Sequence, residues 1–209
     1  MEGVLGQIAD LIRKGGIVMY PLIILSLISW VLIIERLVNL RASRFLPPNL
    51  NEVKLLLQKL DVDGAYKVIS LNRDVFSRAL SLVFEEYLKG NRSRADLNAI
   101  LERELSGIVP AVEKNLMLLS AIASISPLLG LFGTITGLIK VFSAYATVQM
   151  EEATRLLSAG IGEALTAAAT GLVVAIPALF AYWVFRGLGN DVIEKVEREA
   201  REIMSLLER

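Results

Sequence analysis

Three long stretches without a charged side chain dominate the pattern of apolar and polar positions along the chain. They cover residues 17–34, 115–139 and 164–185. A helix needs roughly 18 to 20 consecutive apolar residues to cross a hydrocarbon core that is about 30 Å thick. Buried helices of soluble bundles usually keep a polar stripe, and three uncharged runs are hard to place in one soluble domain of 209 residues. The pattern therefore predicts three transmembrane helices.

The polar stretches carry amphipathic helical patterns. Apolar positions recur with helical spacing from Leu50 to Leu60 and from Val75 to Leu88. Gly90-Asn91 breaks the chain, and Ser93 with Asp96 resembles a capping box. These signals predict a helical insert between the first and second spans.

Both later spans are predicted to continue as long helices beyond the membrane. An apolar stripe runs from about Arg94 into the second span, so we expect one helix there, bent at Pro110 or Pro127. Another stripe continues from Leu188 to Leu207 after the third span.

The distribution of basic residues predicts the orientation in the membrane. Lys and Arg number two in residues 1–16, thirteen in 35–114, two in 140–163 and five in 186–209. Because loops rich in Lys and Arg stay in the cytoplasm, we expect a periplasmic N-terminus and a cytoplasmic C-terminus.

The predicted fold class is an all-α integral membrane protein with three transmembrane helices, a helical cytoplasmic insert, and long second and third helices that extend into the cytoplasm. The predicted organisation is a periplasmic amphipathic segment 1–16, a first transmembrane helix 17–36, a cytoplasmic helical domain 37–114, a second transmembrane helix 115–142, a short periplasmic connection 143–159, a third transmembrane helix 160–186 and a cytoplasmic C-terminal helix 187–209.

Composition argues against several classes of function. The chain has no cysteine, no histidine and a formal net charge of zero. Thiol chemistry and the usual zinc or haem sites are therefore not expected, and nothing indicates nucleic acid binding. No phosphate-binding loop or nucleophile elbow occurs, so we expect no cofactor, no metal and no enzymatic activity.

Small residues in the second span predict close helix packing. Gly133 and Gly137 are spaced four apart, with Gly130 nearby, and glycines at this spacing let helix backbones approach closely in lipid. Gly171 in the third span is assigned the same role. Pro127 and Pro177 are expected to kink the second and third spans.

One face of the third span carries polar side chains. Glu163, Thr166 and Thr170 stand at i, i+3 and i+7, among alanines and glycines. This face suits a lumen or a partner chain better than lipid. The alternative is that the threonines merely bond the carbonyl groups four residues earlier in their own helix.

The apolar runs 17–34, 115–139 and 164–185 contain no Asp, Glu, Lys or Arg, and Glu163 stands only at the edge of the third run. A proton relay in a membrane generally needs an ionisable group at depth. If this chain conducts protons, that group has to come from another protein.

Three stretches of the chain carry a distinctive motif. They are Gly16-Ile17-Val18-Met19-Tyr20-Pro21-Leu22 with Ile33-Ile34-Glu35-Arg36-Leu37, Ser126-Pro127 with Gly130-Leu131-Phe132-Gly133-Thr134, and Gly160-Ile161-Gly162-Glu163-Ala164-Leu165 with Gly171-Leu172-Val173-Val174-Ala175-Ile176-Pro177-Ala178. In these stretches the chain resembles the ExbB/TolQ family.

The resemblance implies a homo-oligomer, a pentamer in this family, in the bacterial inner membrane. It implies that the ring surrounds single-span ExbD- or TolR-type helices carrying a membrane aspartate, and that a TonB- or TolA-type protein passes work to the outer membrane. It assigns Thr134 to the proton path and matches Glu163 to the family glutamate. Ala168 stands where the family often has a threonine, so Thr166 or Thr170 is the candidate substitute.

Two other functions stay open. An independent ion channel or transporter would need charged or broken-helix features at mid-membrane, which are absent from the sequence. A structural scaffold would explain the small residues but gives no reason for the Glu-Thr-Thr face.

Overall fold

The computed structural model describes residues 15–40, 45–145 and 150–207. Most of the predicted segment 1–16 and part of the predicted connection 143–159 lie outside the described residues. Eight α-helices occur in the described part: α1 Met19–Asn39, α2 Leu50–Gln58, α3 Val62–Ser70, α4 Val75–Leu88, α5 Arg94–Leu105, α6 Ile108–Glu113, α7 Leu116–Tyr145 and α8 Met150–Leu207.

The predicted fold class is confirmed. Within the described residues every regular element is a helix, and three stretches are long and apolar enough to cross a membrane. These stretches are Met19–Asn39, Arg94–Ser143 and Thr154–Leu207. The chain is therefore an all-α membrane protein, and α8 continues without interruption from its apolar part to Leu207.

The stretch predicted as one helix from about Arg94 is divided in the structure into α5, α6 and α7. One break falls at Ser106-Gly107, between α5 and α6. The other falls where Lys114 is extended (ψ 134°) and Asn115 adopts a left-handed conformation (φ 63°). Asparagine tolerates this conformation better than most residues. The apolar stripe continues across both breaks, which is why the sequence pattern did not reveal them.

Backbone contacts divide the chain into two compact units, separated after Glu35, after Lys114 and after Val184. The first unit contains most of α1, all of α7 and the first part of α8. Many of its large apolar side chains are exposed, among them Trp30, Leu128, Phe132, Phe180 and Trp183. Such a surface suits lipid or neighbouring membrane helices rather than water.

The second unit has a buried core of its own. Helices α2, α3, α4 and α5 pack in succession, each against the next. Fully buried side chains of this unit include Leu57, Ile69, Phe76, Leu80, Phe84, Leu97 and Ile203. The spacing of these residues along each helix keeps them on one face, as amphipathic helices of a water-exposed domain require.

Side-chain caps fix the starts of three of its helices. Asp61 accepts a hydrogen bond from the Gly64 amide (2.8 Å) at α3, a helix the apolar pattern did not predict. Asp74 accepts from the Ser77 amide (2.9 Å) at α4. Ser93 accepts from the Asp96 amide (3.3 Å) at α5. Each cap satisfies an amide that has no partner within its helix.

Arg36 is buried within the second unit, at the end of α1. Its Nη1 donates a hydrogen bond to the Val112 carbonyl oxygen (3.2 Å), in the last turn of α6. A cation close to carbonyl groups at a helix C-terminus is favourable, because these groups have no partner within the helix. Arg36 thus contributes to packing as well as to the basic charge that predicts orientation.

The second unit also contains a groove of about 390 Å³ between α5, α6 and the last part of α8. Its floor is apolar and includes Leu101, Ile108, Val196 and Met204. None of the predicted proton-path residues lines it, so the candidate site lies elsewhere.

Candidate functional site

The predicted site residues lie along the hairpin formed by α7 and the first part of α8. As residue numbers rise along α7, the numbers of the contacting residues in α8 fall. Gly130 lies against Ala167 and Ala168, Gly137 against Ala164, and Val141 against Gly160. The two helices are therefore antiparallel, with small residues in the seam between them.

The seam is close enough to exclude larger side chains at several positions. A Cβ built on Gly171 would lie 2.6 Å from the Ser126 carbonyl oxygen and 3.1 Å from the Gly130 Cα. A Cβ built on Gly133 would lie 2.5 Å from the Ala167 Cβ. Real contacts of a Cβ are essentially never shorter than 3.0 Å. Glycine at these positions allows the two backbones to approach, as in other lipid-embedded helix pairs.

Pro127 and Pro177 both lie inside continuous helices, α7 and α8. Each removes one backbone donor, so the carbonyl group four residues earlier loses its usual partner within the helix. That each proline kinks its helix stays a prediction.

Thr134 is half-buried, and its hydroxyl reaches across the seam. Its Oγ1 lies 3.2 Å from the Gly130 carbonyl oxygen of its own helix and 3.1 Å from the Ala164 carbonyl oxygen of α8. A hydroxyl has one proton, which the two carbonyl groups share or accept alternately, and two lone pairs that remain able to accept. Thr134 therefore joins the two helices and keeps a capacity to accept a hydrogen bond.

Thr166 and Thr170 make only hydrogen bonds within their helix. Thr166 Oγ1 donates to the Gly162 carbonyl oxygen (2.7 Å), and Thr170 Oγ1 donates to the Thr166 carbonyl oxygen (2.8 Å). This is the local alternative that the sequence pattern left open. Their lone pairs remain available to a partner, so the geometry does not select between the two as a substitute for the threonine absent at Ala168.

Glu163 forms an ion pair that the sequence did not predict. Its Oε1 lies 2.6 Å from the Lys140 Nζ of α7, and its side chain is 24% exposed while that of Lys140 is 60% exposed. The same carboxylate oxygen lies directly against Gly16, which adopts a left-handed conformation (φ 72°) just before α1. Three separate parts of the chain therefore meet at one carboxylate.

The described residues do not form a continuous chain of side-chain hydrogen bonds through the hairpin. Thr134 reaches Ala164, next to Glu163 in sequence, but bonds its backbone and not the Glu163 carboxylate. No Asp, Glu, Lys or Arg lies between Leu116, where α7 begins, and Lys140. None lies between Glu163 and Arg186 in α8 either. The hairpin supplies hydroxyls, carbonyls and one carboxylate at its end, but no acid within its apolar length.

The part of the chain that the structure describes holds no group of three or more Asp, Glu, His or Cys that could bind a metal ion.

Lys140 and Gly16 are the residues that sequence reasoning missed. A signal for Lys140 was present, because Lys140 ends one charge-free run and Glu163 precedes the next. In an antiparallel hairpin those two positions have to lie at the same end. The left-handed Gly16 could not be inferred in this way, since it depends on how the chain enters α1.

A protein-family model matches residues 68–198, which is more than half of the chain, and describes the MotA/TolQ/ExbB proton channel family. The chain belongs to this family. The family carries out transport and energy transduction. Family membership, together with three helices that are long and apolar enough to cross a membrane, supports a location in the bacterial inner membrane.

Curated relatives agree with the family. The chain is 30% identical to the Tol-Pal system protein TolQ of Haemophilus influenzae, over 83% of this chain and 81% of the relative. It is 34% identical to the putative biopolymer transport protein ExbB-like 3 of Synechocystis sp., over 83% and 82%. It is 29% identical to the biopolymer transport protein ExbB of Salmonella typhimurium, over 88% and 77%. Identities this similar do not separate a TolQ role from an ExbB role.

Proposed function

We propose that this member of the family is a proton-conducting stator subunit that works with a single-span ExbD- or TolR-type partner. In this proposal several copies, a pentamer by resemblance, surround the partner helices. Proton flow through the assembly energises a TonB- or TolA-type protein that acts on the outer membrane.

The observation that carries the proposal is the lack of an acid in a hairpin of a proton channel family. Residues 115–139 and 164–185 contain no charged side chain. Threonine hydroxyls can pass a proton along, but only an ionisable group can hold one at depth in the membrane. A carboxylate on a neighbouring single-span helix would complete the path.

The chain's own residues have distinct parts in this path. Glu163 would exchange protons with water at the end of the hairpin, because its carboxylate is partly exposed there. Thr134, Thr166 and Thr170 would offer hydroxyl lone pairs along the hairpin. The electrical part of the driving force is roughly 2.3 kcal/mol per proton for each 100 mV.

Proton flux into liposomes tests the proposal. The chain is reconstituted alone or after coexpression with its single-span partner, and an inward potential is imposed. We expect flux only with the partner, and a partial loss of that flux in Glu163→Gln. Flux from the chain alone would favour an independent channel. No flux from either sample would favour a scaffold.

The orientation is also a proposal: residues 37–114 and the C-terminus in the cytoplasm, and the α7–α8 connection in the periplasm. The distribution of Lys and Arg supports it. The chain has no cysteine, so single cysteines at the exposed positions Ser70 and Ser158 can be labelled without background. A membrane-impermeant maleimide should label Ser70→Cys only in inverted vesicles and Ser158→Cys only in right-side-out vesicles. The reverse pattern would contradict the proposed orientation.

A further inference from the structure

The Glu163 carboxylate is held from two directions by groups outside its own helix. Lys140 of α7 contributes an ammonium group 2.6 Å from Oε1. The Gly16 backbone lies on another side of this carboxylate. It is so close that a Cβ on Gly16 would collide with Glu163 Oε1. A glutamate side chain without such contacts would sample several rotamers, and each contact removes part of that freedom.

Gly16 is required at its position for two independent reasons. Its φ of 72° lies in the left-handed region, where a side chain is unfavourable. The space a side chain would need is occupied by Glu163. Gly15 provides a comparison, because its φ is not in that region and a Cβ there would press on Sδ of the buried Met19 side chain without reaching Glu163.

The Lys140 side chain is 60% exposed, and ion pairs with this much exposure contribute little to stability. Its position at the end of a charge-free run would allow its ammonium to extend into water. In the structure it points to Glu163 instead.

We propose that Lys140 and Gly16 are positioning residues that hold the Glu163 carboxylate at one place at the end of the hairpin. This inference rests on the proposed function, because it assigns the two residues to the group that exchanges protons there. Lys140 acts through its charge and reach, and Gly16 acts by leaving room for the carboxylate.

Zero-length cross-linking tests the positions without any measurement of flux. A carbodiimide activates a carboxylate, and an amine in contact with it then forms an amide, with the lost water taken up as the urea product. We expect a Lys140–Glu163 amide within one chain, found by mass spectrometry of the monomer band. The Lys54–Glu199 pair, also 2.6 Å apart, is the internal positive control.

Variants show which residues the cross-link depends on. Lys140→Arg should abolish the Lys140–Glu163 amide and leave Lys54–Glu199 unchanged. Gly16→Ala should lower its yield about fivefold, the factor that corresponds to ~1 kcal/mol, while Gly15→Ala should keep it within about twofold. A wild-type protein that forms the Lys54–Glu199 amide but no Lys140–Glu163 amide would overturn the inference. Equal yields in Gly16→Ala and wild type would overturn the part assigned to Gly16.

Flux through the reconstituted complex tests whether position matters for function. We expect Lys140→Met to lower partner-dependent flux by about fivefold and Lys140→Arg to keep it within about twofold, since arginine retains the charge and the reach. In a Glu163→Gln background, Lys140→Met should cause no further loss, because a residue that acts only through Glu163 has nothing left to position. The inference would be overturned if the two losses of flux multiplied in the Glu163→Gln, Lys140→Met double variant. It would also be overturned if Lys140→Arg lowered flux as much as Lys140→Met.

The two proposals fail in different ways. If the wild-type complex shows no partner-dependent flux, the proposed function is wrong, and the cross-linking result still decides whether Lys140 and Gly16 position Glu163. If flux requires the partner and Glu163 but ignores Lys140→Met, the function stands and the role of Lys140 is wrong.

Discussion

At the scale of single residues, the hydroxyl groups of the hairpin differ in what they bond. Thr134 reaches a carbonyl of the opposite helix, whereas Thr136, two residues later, donates only to the Phe132 and Gly133 carbonyl groups of its own helix. Both side chains are half-buried. This makes Thr136 a matched control for the part that Thr134 plays.

Thr134→Val should lower partner-dependent proton flux by at least roughly tenfold, because a residue that transfers protons typically contributes much more than that. Valine keeps the shape of threonine and removes only the hydroxyl. Thr136→Val should keep flux within about twofold, since its hydroxyl serves its own helix. Flux assays on liposomes at equal protein content measure both. Equal losses in the two variants would remove Thr134 from the proposed path.

The sequence predicted part of this site and could not predict the rest. Glu163 and the three threonines were proposed from spacing and resemblance, because helical periodicity places side chains on faces, and their role in a proton path stays a prediction. Which carbonyl each hydroxyl bonds depends on distances of a few tenths of an ångström between two helices. The Lys140 contact required knowing that the hairpin is antiparallel and where it is in register.

At the scale of elements, the α7–α8 seam depends on glycine where the backbones are nearest. Gly171 is the tightest case, with the Ser126 carbonyl oxygen 2.6 Å from where a Cβ would be. Gly187 lies in the same helix and has no atom within 4 Å of that place. Alanine is the better helix former at both positions, but only at Gly171 would its methyl group collide with neighbouring atoms.

Gly171→Ala should lower the free energy of unfolding by about 1–3 kcal/mol, because the added methyl group forces the helices apart. Gly187→Ala should raise the free energy of unfolding by about 0.5–1 kcal/mol, because alanine is the better helix former and nothing opposes it. Thermal unfolding in mild detergent, followed by circular dichroism, measures both. A Gly171→Ala protein as stable as Gly187→Ala would show that the seam is looser than described.

A second contact between elements connects α2 with the last part of α8. Lys54 Nζ lies 2.6 Å from Glu199 and 2.7 Å from Glu202, and its side chain is only 16% exposed. Burial alone would lower the Lys54 pKa, but the hydrogen bonds and charges of Glu199 and Glu202 outweigh it and raise this pKa above its usual 10.5. The charged form of Lys54 therefore stabilises the fold.

Lys54→Met should lower the free energy of unfolding by about 1–2 kcal/mol at neutral pH, because it leaves the Glu199 carboxylate without this partner. The contribution of a raised lysine pKa is fully present below the unfolded value of 10.5 and is lost as pH rises through the folded value. Wild type and variant should therefore converge above pH 10.5. Lys67→Met, at an exposed pair with Asp63, should cause no measurable change. A difference that persists unchanged at high pH would contradict this account of the Lys54 pair.

Helices were predicted better than their interruptions. The apolar pattern that predicted this helix runs from Val75 to Leu88, and the observed α4 has the same bounds. The agreement arises because the apolar face of α4 is continuous and Asp74 caps its start. The break at Asn115 was missed, because the apolar stripe passes through it and nothing in the residue types demanded a left-handed turn there. Local backbone geometry of this kind depends on contacts such as that of Asn115 Nδ2 with the Glu35 carboxylate (3.4 Å).

At the scale of the whole molecule, the chain combines a lipid-compatible unit with a unit that has a soluble type of core. The second unit buries its large apolar side chains, whereas the first leaves many exposed along its helices. The chain belongs to the MotA/TolQ/ExbB proton channel family. For the proposed proton path, the chain lacks an acid within the apolar part of its hairpin.

The most direct test replaces that acid in the partner and leaves this chain untouched. Proton flux is measured in liposomes that contain the chain with its single-span partner, either native or with the membrane aspartate of the partner changed to asparagine. We expect flux with the native partner and a fall to the level of the chain alone with the asparagine variant, at equal amounts of assembled complex. Undiminished flux with the asparagine variant would contradict the proposed function, because the protons would then cross without the acid that this chain does not supply.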